Sequence, residues 1–404
     1  MVEGPELSLA LYGLEFSLDT AALDELELVA RTVTKVQVRD WFSRSADTEE
    51  VALLSTCHRI ELTLVARSPE ALEQWRAVLP GGRESWRLRE DVTLVHHLFR
   101  VAAGRESLAV GEAEVGQQVR IAGRSVESRH PRALLRELFR AAADAAQEVA
   151  PAPRNAPSIA AVAAARLREI VTAPTPHVVV VGSGTVGHQV VESLSSSTRL
   201  TVVYHQRPPE EAFLRSHGAR AVPLERLPEA LGGADAVITA AKFGNHGLRA
   251  ADLPRDRPLL LVDLGMPRNI DPDVRTLPNV RLLDLEELHE QPRGSLDIAG
   301  GDLRLEELAQ EFADRLAPLL LEPWIDAYRR AAEALRRAEL ANARSFLGEL
   351  DPEQELAVER LTQRLVARLL AAPTERLRSL PIGPEGELQR RWAVDLLSPR
   401  PDDP

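Results

Sequence analysis

His177-Val178-Val179-Val180-Val181-Gly182-Ser183-Gly184-Thr185-Val186-Gly187 is the stretch whose reading decides the fold. Consecutive valines without polar alternation mark a strand covered on both faces, as in a parallel sheet. Glycines then follow at G-x-G-x-x-G spacing, and Val190, Val191 and Leu194 continue at helical period. In this strand-turn-helix setting the glycines permit a tight turn, close backbone approach to a pyrophosphate and close helix packing, while the helix N-terminus offers N–H donors to the anion. Gly182, Ser183, Gly184, Thr185, Val186 and Gly187 therefore read as a dinucleotide-binding turn. A second strand at 200–204 ends in His205-Gln206-Arg207 with no carboxylate for a ribose 2′-hydroxyl. Arg207 suits a 2′-phosphate, so NADPH is favoured over NADH. Further strands are predicted at Ala236–Thr239 and Leu259–Asp263, the latter followed by a loop at 265–272 of the kind that borders ligands in doubly wound folds.

Working outward, residues 1–155 read as a separate α/β unit, with strands at 7–12, 51–56 and 60–66 and a helix at 20–32. Cys57 falls in the tight connection between two of these strands. It is the single cysteine of the chain, so it is either a small buried hydrophobe or a nucleophile. Ser55, Thr56, His58 and Arg59 around it favour the nucleophile. The basic neighbours are expected to lower the thiol pKa from about 8.5 towards neutrality and hold a thiolate. A helical pattern through Leu94, His97, Leu98 and Val101 leads to a polar loop at 104–112. Ser107 and Glu112 make that loop either a pocket wall or an ordinary helix connection. His97 is either a satisfied core residue or part of the site.

Beyond residue 303 the chain is helical, with an apolar stripe at Leu305, Leu308, Phe312 and Leu316; Pro318 and Pro323 are expected to kink or break it. Asp351-Pro352-Glu353-Gln354 has the cap chemistry of a helix start. Val358, Leu361, Leu365 and Leu369 then form one face up to Pro373. Such stripes with little core of their own point to self-association, with packing inside the chain as the alternative. The expected division is 1–155, 156–300 and 301–404.

The 404 residues carry 61 acidic and 49 basic side chains, a net charge of −12, which disfavours nucleic acid or anionic membranes as general partners. A local basic face can override that average. Arg132, Arg136 and Arg140, with Arg120 and Arg124, recur at helical spacing, as phosphate contacts or as a solvated face paired within the chain. Apolar runs stay far below the roughly 20 residues of a membrane span, and a reduced, cytoplasmic setting is expected. No metal is expected, because His96, His97, His188, His205 and His246 lack thiol or carboxylate ligands at suitable spacing.

Five ordered segments together resemble the glutamyl-tRNA reductase family. Leu54-Ser55-Thr56-Cys57-His58-Arg59-Ile60-Glu61 is similar to its L-S-T-C-N-R-T-E signature, and residues 97–108 are similar to H-L-x-R-V-A-S-G-L-D-S-L. Gly111-Glu112 with Gln118-Val119-Arg120, the dinucleotide turn, the 263–272 stretch and 361–374 follow in family order. The resemblance implies a multidomain α/β protein: an N-terminal catalytic domain, a Rossmann-type NADPH domain and a C-terminal helical dimerisation domain, forming a V-shaped homodimer. It implies NADPH-dependent reduction of glutamyl-tRNA to glutamate-1-semialdehyde, the first committed step of five-carbon tetrapyrrole synthesis. Cys57 would attack the ester, and the resulting thioester would accept hydride. Arg59 and Ser107 would hold the glutamate, with Thr56, Glu112 and Gln118 lining its pocket and His97 orienting or exchanging protons at the carbonyl. Glutamate-1-semialdehyde aminomutase is the partner it suggests for the product.

The chain departs from the signature where His58 replaces asparagine, Ile60 threonine, and Arg105-Glu106 leucine-aspartate; Gln206-Arg207-Pro208 stands for N-R-T. The extra imidazole either sharpens the thiol or sits on the surface. Other readings are a noncatalytic dimeric relative and an oxidoreductase of small carbonyl compounds that needs no tRNA.

Overall fold

The computed structural model describes residues 9–150, 158–195, 198–241, 247–289, 299–348, 350–380, 389 and 392–393. Its N-terminal part runs β1 (Ala10–Ser17), α1 (Leu23–Thr32), α2 (Lys35–Arg44), β2 (Thr48–Ser55), β3 (Arg59–Ala66), α3 (Pro69–Val78), β4 (Arg87–Glu90), α4 (Asp91–Ala102), α5 (Ala113–Arg124), β5 (Glu127–Ser128) and α6 (Leu134–Glu148). The strands form one antiparallel sheet in the order β4-β1-β3-β2-β5. Period-two alternation divides its side chains between two cores. Tyr12, Leu14, Phe16, Leu62 and Leu64 face Leu26, Val29 and Trp75 on one side. Leu11, Ala52, Leu54 and Val65 face α4 to α6 on the other.

The first strand begins later than the predicted 7–12; residues 7 and 8 lie outside the described residues. The predicted helix at 20–32 is α1, and α2 was not anticipated. Val33 interrupts the helical path, and Thr34 restarts it by accepting a hydrogen bond from the Gln37 N–H.

The middle part runs α7 (Ile159–Ile170), β6 (His177–Val181), α8 (Thr185–Leu194), β7 (Arg199–Tyr204), α9 (Glu211–Ser216), β8 (Ala219–Pro223), α10 (Leu227–Leu231), β9 (Ala236–Thr239), β10 (Leu259–Asp263), β11 (Val280–Leu283) and α11 (Leu285–His289). All six strands are parallel, in the order β11-β10-β9-β6-β7-β8, and strand order reverses beside β6. That reversal opens a crevice at the carboxyl ends of β6 and β9, where this architecture takes its ligand. Val178 and Val180 face one core, Val179 and Val181 the other, which is why β6 reads as an unbroken apolar run.

The C-terminal part is α12 (Ala299–Leu347) followed by α13 (Pro352–Arg378). Contrary to expectation, α12 continues for 49 residues through positions 318 and 323, and α13 continues through Pro373. An interior proline costs about 3 kcal/mol, which tertiary packing on either side offsets. Leu305, Ala309, Phe312 and Leu316 are buried in the α4–α6 core. Farther along, Tyr328 packs on Leu377, and Arg336 bonds Glu359 at 2.7 Å and Thr362 at 3.0 Å. The predicted stripe on α13 is uncovered, with Leu361, Leu365 and Leu369 between 56% and 68% exposed.

Candidate active site

Cys57 sits where β2 turns into β3. Ser55 pairs with Ile60 and the Thr56 N–H donates to the Arg59 carbonyl at 3.0 Å, so the turn is as short as its sheet allows. Within it, Thr56 Oγ1 accepts from the His58 N–H at 3.4 Å, and His58 Nδ1 lies 3.4 Å from Cys57 Sγ. His58 is 2% exposed and therefore not a surface residue.

The expected thiolate is corrected. Burial first, and then the Glu112 carboxylate, push the Cys57 thiol up to about 12, against which Arg59 acts more weakly. Burial and the Arg59 charge likewise hold His58 down to about 3, leaving its imidazole neutral. In this conformation the sulfur is a thiol beside an uncharged ring.

The Arg59 guanidinium faces inward and is 1% exposed. It donates to Glu61 at 2.9 Å and to the Glu106 carbonyl at 2.6 Å, and lies 3.9 Å from Glu15. His97 Nε2 bonds Glu61 Oε1 at 3.0 Å, and Glu61 in turn accepts from Arg59. Burial would raise the Glu61 carboxyl, but His97 and Arg59 override it and hold it down to about 2.

Glu15, Glu61 and His97 present ligand atoms within 4.8 Å of one another. The sequence reading that gave no histidine a carboxylate set is thereby corrected for His97, whose partners come from β1 and β3 and are invisible to spacing. Arg59 on Glu61, and Arg89 on Glu15 at 2.8 Å, already supply the cationic charge. His246 lies outside the described residues.

The loop at 104–112 closes on itself. Gly104 has φ +68, its carbonyl accepts from Ser107 and Gly111, and an added Cβ would meet the Glu112 N–H at 2.6 Å. Ser107, Thr56 and Glu112 are all buried. Arg105, beside Ser107, bonds Asp302 at 2.5 Å, and Arg100 bonds Glu106 at 3.1 Å, tying the loop to α12 and α4.

Burial, with Glu114 adding repulsion, raises the Glu112 carboxyl to about 7. A carboxyl raised above its unfolded value costs nothing at low pH and a growing penalty as pH climbs from about 4.5 to 7. The thermal midpoint of Glu112→Gln should therefore fall less than that of wild type between pH 5 and pH 8. Parallel melting curves for the two proteins would refute the assignment.

The dinucleotide turn borders a cavity of about 1000 Å³ lined by Gly182, Ser183, Gly184, Thr185, Val186 and Arg207, with Gln118 and Glu114 of α5 on the opposite wall. Gly182 has φ +124, and a Cβ there would meet the Ala240 carbonyl at 2.6 Å. Gly184 faces open space, whereas a Cβ on Gly187 would overlap the Gly182 carbonyl. Gly187 thus permits helix–strand contact behind the cavity rather than lining it. The fit to a dinucleotide is supported further by Gln118, whose buried carboxamide oxygen has no hydrogen-bond partner.

Contacts between the two α/β domains hold sulfur and cavity together. Cys57 and Leu108 pack on the apolar cluster that contains Val180, Val262 and Leu264, and the charge of Glu114, a cavity-lining residue, reaches the thiol. Gln189 of α8 donates to Glu114 at 2.7 Å. Arg268 bonds Glu27 at 3.0 Å and also reaches Asp24, clamping the loop after β10 to α1. The buried Asp263 holds that loop by accepting from Gly265, Asn269 and Ile270. None of these clamps was read from the sequence. The basic row on α5 and α6 is partly paired: Arg120 and Arg140 share Asp144, at 2.9 and 3.9 Å.

Family models match in chain order: the N-terminal domain of glutamyl-tRNA(Glu) reductase at 14–152, shikimate/quinate 5-dehydrogenase at 164–291, and the dimerisation domain of glutamyl-tRNA(Glu) reductase at 305–394. A glutamyl-tRNA reductase of Pseudomonas putida is 32% identical over 92% of this chain and 93% of its own length. One of Rubrobacter xylanophilus is 31% identical over 82% of each. Among solved structures, glutamyl-tRNA reductase from Methanopyrus kandleri is 24% identical, with a TM-score of 0.49 over 96% of this chain and 97% of that one. At this identity over nearly its whole length, and with both of that family's own domain models in their order, the chain belongs to the glutamyl-tRNA reductase family.

Proposed function

We propose that the protein reduces the glutamyl ester of glutamyl-tRNA(Glu) to glutamate-1-semialdehyde through a thioester on Cys57. The packing of Cys57 onto the apolar cluster that includes strands β6, β7, β9 and β10 of the nucleotide domain carries this reading. Attack by sulfur forms the S–acyl bond and expels the tRNA hydroxyl, and the thioester is a better hydride acceptor than the oxygen ester it replaces. NADPH, when bound, supplies the hydride.

The chain's own residues do the rest. Gly182 and Gly184 let the backbone approach the pyrophosphate, with the N-terminus of α8 behind it. Arg207 meets the 2′-phosphate, and Gln118 offers its unpaired carboxamide oxygen to the cofactor. Arg59, held by Glu61 and His97, keeps the turn rigid and its positive field on the sulfur, while Ser107 and Thr56 hold the glutamyl group beside it. A homodimer through the uncovered leucine face of α13, a cytoplasmic setting and delivery of the aldehyde to an aminomutase complete the reading. Among the described residues no helix is long and apolar enough to cross a membrane.

The test is purified protein with charged glutamyl-tRNA and NADPH, followed for semialdehyde. Oxidation of NADPH by small carbonyl compounds but not by the charged tRNA would replace this reading with a tRNA-independent oxidoreductase. Nucleotide binding without any turnover would replace it with a noncatalytic relative. Arg207→Gln should raise the KM for NADPH about tenfold with little effect on NADH, since it removes a charge-assisted contact to the 2′-phosphate alone. Equal loss with both cofactors would take Arg207 out of that role.

A further inference from the structure

We infer that His58 is the base that receives the Cys57 proton during acylation, so that this chain works with a neutral cysteine–histidine pair. The inference rests on the acyl-transfer reading above and adds a residue to it. His58 Nδ1 is the ring atom facing the sulfur, at 3.4 Å. Its other nitrogen, Nε2, lies 3.0 Å from the Glu106 carbonyl. The tautomer that carries its hydrogen on Nε2 donates to this carbonyl and presents the Nδ1 lone pair to the thiol, and it is the one the proposed step uses. The competing contact at Nε2, from Arg59 Nε, is longer at 3.3 Å.

The ring has little freedom to leave this position. Its backbone carbonyl accepts from the Leu18 N–H at 3.1 Å, its N–H is held by Thr56 Oγ1, and the side chain is buried. The charged groups bearing on the ring are Arg59 and, across the turn, the His289–Asp19 pair, itself joined at 3.1 Å. Those bearing on the sulfur are Arg59, Glu112 and Glu114. The resting pair is therefore neutral, and the proton moves from sulfur to the facing ring nitrogen only as the S–acyl bond forms and the thiol becomes acidic.

The step balances. As Sγ bonds to the acyl carbon, the S–H proton passes to Nδ1. It moves on to the ribose oxygen as the ester C–O bond breaks, leaving a thioester, a free tRNA hydroxyl and a neutral imidazole.

His58→Gln and His58→Asn, made in the full chain, test this. Both remove the basic lone pair, and glutamine retains an N–H that can reach the Glu106 carbonyl. Two rates are measured from pH 6 to pH 10: alkylation of Cys57 by iodoacetamide, and glutamyl transfer from charged tRNA to Cys57 without NADPH. Both variants should transfer glutamate about 10²-fold more slowly at pH 7. Their alkylation rates should fall below that of wild type at pH 7, with the gap narrowing towards pH 10 as hydroxide takes over the deprotonation. Wild-type rates and profile in either folded variant overturn the assignment, and so does a slower reaction with an unshifted profile, which would mean a structural role alone. If wild type itself forms no glutamyl adduct, the acyl-transfer reading fails instead, and the alkylation profile still shows whether His58 activates the thiol.

Discussion

Cys57→Ser is expected to lower semialdehyde formation from glutamyl-tRNA by more than about 10³-fold while leaving NADPH binding intact. The turn geometry should survive, because serine is close in size and the Ser55–Ile60 pairing does not involve the side chain. Two properties are lost together. The hydroxyl is a poorer nucleophile, and its acyl product would be another oxygen ester, no more ready for hydride than the substrate. Single-turnover kinetics with radiolabelled glutamyl-tRNA, beside a fluorescence titration with NADPH, separates chemistry from binding. Substantial turnover by the serine variant would mean that hydride reaches the ester directly, and the thioester route would fall. The half-buried, protonated sulfur also predicts sluggish alkylation of wild type compared with a free thiolate at pH 7, because little thiolate is present to react.

Arg59→Met should be the most destabilising single change in the catalytic domain. It keeps the volume but leaves Glu61 buried without its guanidinium partner and removes one of the cations around Glu15; breaking such a pair costs about 3–5 kcal/mol. The pH dependence gives the sign. The Glu61 carboxyl lies below its unfolded value, so its contribution is complete above about 4.5 and fades as pH falls towards 2. The stability gap between wild type and Arg59→Met should therefore narrow from pH 7 to pH 3. Adding Glu61→Gln should recover much of the loss at pH 7, because the charge left uncompensated is removed. Denaturant midpoints for the three proteins at both pH values decide it. An unchanged midpoint in Arg59→Met would show that the guanidinium is not holding the turn.

Much of the architecture was legible in local pattern. The valine run and spaced glycines placed β6, its turn and α8, since period and glycine geometry are properties of adjacent residues. Asp351-Pro352 marked the start of α13 for the same reason, through cap chemistry confined to one turn. The prolines at 318, 323 and 373 misled because their cost is local while the packing that offsets it comes from α4, α6 and the pairing of α12 with α13. The strands β8 and β11 were missed because each lies at a sheet edge and is only partly buried, so neither reads as an unbroken apolar run.

By itself the sequence determined that a dinucleotide turn, a cysteine-bearing hairpin and amphipathic helices with an uncovered face exist in this order, because each is written in neighbouring residues. Only the tertiary structure decided how the cysteine behaves. Glu106, 48 residues from His58, places its carbonyl 3.0 Å from the ring, and burial together with the Glu112 charge opposes a thiolate. Protonation states depend on burial and on charges brought together through space, and no spacing along the chain encodes either.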